Sequence, residues 1–108
     1  MKTLPYTART TSGDIYEFDL PLHEETNDPV RVGQLLTVVL DSLDKEIKIT
    51  GDISDGDLLQ AMAMALAVRV KITNAPFHMI EDLARELLDQ FLRASSAAER
   101  SRENVGHA

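Results

Sequence analysis

The chain has no cysteine and no tryptophan, and aromatic residues make up only 5% of its 108 positions. Without cysteine there is no disulfide, no thiolate zinc site and no thiol nucleophile, so burial alone must hold the fold together. A reducing cytosol is the simplest home for such a protein, and a cytoplasmic location is the expectation. Long apolar runs are missing as well. The opening stretch "MKTLPYTARTTSGD" lacks the apolar core of a signal peptide. The greasiest segment, "LLQAMAMALAVRV" at 58–70, falls short of the roughly 18 residues that span a bilayer. Neither export nor membrane insertion is expected.

Positive charge is scarce, with 11 Lys and Arg against 18 Asp and Glu and a net charge of −7. The deficit is concentrated between Asp14 and Asp57, where twelve acids meet only Arg31, Lys45 and Lys48, a local net charge of −9. Phosphate backbones and anionic lipids are repelled by such a segment, so neither nucleic acid nor membrane is an expected partner. Glycine is sparse too. Gly13, Gly33, Gly51, Gly56 and Gly106 form no phosphate-cradling motif, and no serine lies in a nucleophile elbow.

What remains is 44% apolar and 27% charged, the balance of a chain that buries one core. Residues 1–20 read as a β-hairpin. Leu4, Tyr6 and Ala8 alternate with polar residues, "TTSGD" supplies the turn, and Tyr16, Phe18 and Leu20 alternate again. Asp28-Pro29 then signs a helix start, because the carboxylate accepts from orphan amides and proline needs no amide hydrogen at the first position. A helix over about 29–45 follows, with Val32, Leu35, Leu36, Val39, Leu40 and Leu43 on one arc. In "EIKITGD", Ile47 and Ile49 alternate with Lys48 and Thr50, which admits a third short strand near 46–50.

Ser54 and Asp57 form a capping box for a second helix over about 55–71, and Arg69 and Lys71 complement the dipole at its far end. A third helix, about 76–94, carries Phe77, Ile80, Leu83, Ala84, Leu87, Leu88 and Phe91 on its apolar arc. The predicted fold class is therefore α+β: an N-terminal hairpin plus three helices in one domain over residues 1–94. Residues 95–108 form a polar tail, partly helical or disordered, with almost nothing apolar to bury.

The central helix is the anomaly. At 100° per residue, Leu58, Leu59, Met62, Leu66 and Val70 share one side, while Met64 and Val68 face the other. Neighbours with single apolar stripes can cover one side only, so burial on both sides requires a further cover. The hairpin could supply it. A second copy could also do so across a two-fold axis, and the small aromatic content favours that second copy. The expected dimer interface comprises Gln60, Ala61, Met64, Ala65 and Val68.

Chemistry has few candidates. His78 with Glu81 and Asp82 could offer one nitrogen and two oxygens to a metal, but all three fall on the polar face of the third helix, where an exposed histidine is the simpler reading. His23 opens an acidic loop and His107 lies in the tail. Asp52, Asp55 and Asp57 resemble a cation loop, yet counting from Asp52 puts Gly56 at position five and Ala63 at position twelve, where calcium needs ligands. Carboxylates near a helix start explain them better. No catalytic residue, metal site or cofactor is expected. The functional expectation is a small non-catalytic interaction or regulatory module acting as a homodimer. Its acidic surface for a basic partner protein would comprise Asp14, Glu17, Asp19, Glu24, Glu25, Asp41 and Asp44. The alternative is a small-molecule-binding or enzymatic protein with a pocket between the central helix and the hairpin, using His78 or His23.

Overall fold

A computed structural model describes residues 2–10 and 12–102; His107 and the end of the tail lie outside them. The elements run β1 (Thr3–Arg9), β2 (Asp14–Pro21), α1 (Pro29–Thr50), α2 (Asp55–Ile72), α3 (Phe77–Ser96) and β3 (Glu99–Arg102). A three-stranded antiparallel sheet in the order β1-β2-β3 and three helices make an α+β fold with an N-terminal hairpin. Among the described residues, no helix is long and apolar enough to cross a membrane. The chain divides into two compact units, Met1–Gly33 with Leu87–Ala108, and Gln34–Glu86.

The first unit contains the sheet. Leu4 pairs with Leu20, Tyr6 with Phe18 and Ala8 with Tyr16, so the alternation in both strands converges on one half-buried apolar face. Glu17 and Asp19 alternate onto the opposite, exposed face. The turn closes through Thr10, whose amide donates to the Asp14 carbonyl at 2.9 Å and whose carbonyl accepts from Gly13 at 3.1 Å. Gly13 stands at φ +90°, a conformation that costs glycine little and other residues much. In the connection to α1, His23 organises its own turn: Nδ1 accepts from the Glu25 amide at 3.1 Å, and its carbonyl accepts from the Thr26 hydroxyl at 2.6 Å.

Strand β3 was not foreseen. Beyond α3, the chain pairs Glu99–Arg102 with the free edge of β2, opposite Glu17 to Asp14. The expectation for residues 95–108 of helix or disorder therefore fails at 99–102. Pairing at an edge satisfies backbone groups without needing an apolar pattern, so composition gave no sign of it. The second reason is electrostatic. Asp14 is only 7% exposed and its Oδ2 accepts from Arg100 Nη2 at 3.1 Å, which ties β3 to the start of β2.

Helix α1 starts as its sequence indicates, with Asp28 Oδ1 accepting from the Arg31 amide at 3.1 Å. It then runs past residue 45 through the segment read as a strand near 46–50. Ile47 extends the half-buried series Leu36, Leu40, Leu43 at spacings of four and three, and lengthening an existing helix avoids a second nucleation cost. Gly51 stops it, at φ +85° with its amide donating to the Ile47 carbonyl at 2.9 Å.

The second unit holds most of α1, all of α2 and the first half of α3. The Ser54 hydroxyl caps α2 by accepting from the Asp57 amide at 3.1 Å, the forward half of the expected capping box. At the other end, the ammonium of Lys71 stands 5.3 Å from the centroid of the Phe77 ring, a cation–π contact across the α2–α3 turn.

Candidate functional site

Met64 and Val68 are 58% and 57% exposed, while Val70 on the other side of the same helix is 9% exposed. On that other side Leu59 is 65% and Leu66 41% exposed, so Val70 is the one buried residue of α2. The expected burial of α2 on two sides is not met, since Met64 and Val68 are both exposed.

The five residues expected at the interface, Gln60, Ala61, Met64, Ala65 and Val68, are all exposed and lie on one arc of α2. Ile72 joins them. It sits one turn beyond Val68, is 60% exposed, and belongs to the helix because α2 runs one residue further than its sequence suggests. The i, i+4, i+8 spacing of Met64, Val68 and Ile72 is the signal that identifies it.

Other apolar surface is uncovered as well. On α1, Leu35, Val38, Val39 and Ile49 are exposed beside the half-buried Leu36–Ile47 stripe, so that helix carries a broader apolar arc than one stripe needs.

The acids expected at a partner surface fall in both units. Asp14 is buried and paired with Arg100, which removes it from the expected set. Glu17 and Asp19 are exposed on the polar face of the sheet, where Glu17 accepts from the Thr7 hydroxyl at 3.1 Å, and Glu24 and Glu25 are exposed in the following connection. Asp41 and Asp44 are exposed on the part of α1 that belongs to the second unit.

The His78 side chain is 94% exposed, with Nδ1 3.9 Å from Glu81 Oε1. Glu81 Oε2 is engaged by Arg85, whose Nη2 donates at 2.8 Å. Hydrogen bonding to Glu81 and the charge of that carboxylate raise the Arg85 pKa above its usual value, with a smaller contribution from Asp82. The polar face of α3 is thus an ion-pair ladder one turn apart, continued by Arg93 and Asp89 at 2.8 Å. Among the described residues, no three or more His, Asp or Glu side chains are grouped to hold a metal ion. Comparison with known proteins finds no matching family model, no matching curated protein and no matching solved structure.

Proposed function

We propose that this protein is a non-catalytic interaction module that works as a homodimer, with the Met64 and Val68 side of α2 as its self-association face. The supporting observation is the exposure of apolar side chains on α2: Met64 is 58% and Val68 57% exposed, while Val70 is the one buried residue of that helix. Each fully buried Val or Met side chain contributes about 1.5–3 kcal/mol, so an uncovered face forgoes a large part of the net stability of a small domain. A second copy offers the same apolar arc and satisfies both chains with one contact. The exposed Glu17, Asp19, Glu24 and Glu25 of the first unit supply the negative surface for a basic partner protein, which complementary charge would steer and select.

Sedimentation equilibrium of the wild-type chain tests the reading directly, the expected result being a concentration-dependent dimer. Met64→Glu should shift it to monomer, or unfold it, by placing two carboxylates in the contact. A wild-type chain that stays monomeric and fully folded at every concentration would refute the proposal. Salt-sensitive capture by a basic polypeptide, weakened by Glu17→Lys with Asp19→Lys, tests the acidic surface.

A further inference from the structure

The uncovered arc of α2 runs from an acid to a base. Centred on Met64 and read at 100° per residue, the residues within about 60° of it are Asp57, Gln60, Ala61, Ala67, Val68 and Lys71. As on any α-helix these positions pair about the centre: Asp57 and Lys71 lie seven residues either side, Gln60 and Val68 four, and Ala61 and Ala67 three. The two ends carry opposite charge, the acid in the first turn of α2 and the base in the last, and both are exposed.

We infer that a second copy docks on this arc with the two α2 helices antiparallel and crossing at Met64, so that Asp57 of each chain meets Lys71 of the other. This rests on the homodimer reading and specifies its geometry. In the antiparallel arrangement Met64 meets its own copy on the two-fold axis, Ala61 faces Ala67, and the aliphatic stem of Gln60 lies along Val68 with its amide at the rim. The centre is apolar and both ends are attractive. A parallel, in-register pair sets Asp57 against Asp57 and Lys71 against Lys71, so both ends repel. The cation–π contact with Phe77 at 5.3 Å holds the Lys71 ammonium at the end of the arc. Along the helix Asp57 and Lys71 are about 21 Å apart, too far for either to reach its own copy in the antiparallel pair.

Absence of native cysteine makes the test clean. Single variants Met64→Cys, Asp57→Cys and Lys71→Cys are oxidised, alone and in mixtures, after circular dichroism confirms native helix content. Met64→Cys should crosslink to itself. Asp57→Cys and Lys71→Cys should each fail alone and crosslink to one another when mixed. In parallel, Asp57→Lys should weaken the wild-type dimer about tenfold by turning two attractive pairs repulsive. Adding Lys71→Asp in the same chain should restore it, although both changes oppose the helix dipole and so cannot rescue through helix stability. Self-crosslinking of Asp57→Cys in a dimeric protein, or no rescue by the double variant, would overturn the antiparallel geometry and leave the homodimer intact. A wild-type monomer at all concentrations, with or without another protein bound on this face, would overturn both.

Discussion

Two valines on one helix provide a quantitative test of where α2 is covered. Val→Ala removes two methyl groups, worth about 1.6 kcal/mol when fully buried, at about 0.8 kcal/mol per group. Val70 is 9% exposed, so Val70→Ala should cost nearly all of this plus a cavity contribution, about 1.5–2.5 kcal/mol, at any protein concentration. Val68 is 57% exposed, so within one chain Val68→Ala forfeits under half of the burial, about 0.7 kcal/mol. Dimerisation on this face would bury the remainder, about 0.9 kcal/mol per chain and 1.8 kcal/mol per dimer, or roughly a twentyfold change in Kd. Urea unfolding followed by circular dichroism, at two protein concentrations about a hundredfold apart, separates the two contributions. The penalty for Val70→Ala should be the same at both concentrations, whereas that for Val68→Ala should grow at the higher one. A Val68→Ala penalty that stays constant across this range would refute the assignment of Val68 to an intermolecular contact.

Four further substitutions probe the scaffold. Arg100→Ala removes a charge-assisted bond to the buried Asp14 carboxylate and should cost about 1–3 kcal/mol. Amides of residues 99–102 should then exchange faster while those of the β1-β2 hairpin keep their protection. Glu99 stands directly opposite Glu17 in the β2-β3 register, so Glu99→Lys should stabilise the sheet by about 0.2–1 kcal/mol, an effect that added salt diminishes. Gly33 and Gly51 should respond in opposite senses. A Cβ at Gly33, inside α1, would stand 3.6 Å from Leu4 Cδ1 in ordinary contact, and Gly33→Ala should raise stability by about 0.5–1 kcal/mol. At Gly51, φ is +85°, and Gly51→Ala should lower stability by about 1–2 kcal/mol, both read from thermal or urea midpoints.

The residues that announce elements through period or capping were legible. Alternation in Leu4–Ala8 and Tyr16–Leu20 fixes the hairpin register, because a one-residue slip would turn every apolar side chain to the wrong face. Asp28 and Ser54 open their helices as their side-chain oxygens dictate. The doubly apolar character of α2 is likewise written in residues 58–70. Other features depend on what lies across from a segment. The segment 46–50 alternates like a strand but follows α1, since Ile47 completes that helix's half-buried stripe. Residues 99–102 have no apolar pattern, yet become a strand because β2 offers an open edge and Asp14 a charge for Arg100. Asp14 reads as one surface acid among twelve between Asp14 and Asp57, and only its position in the sheet makes it buried. Local order follows from each residue's own backbone and side-chain preferences, which the sequence carries; burial and pairing belong to two segments at once, and only the tertiary structure brings those together.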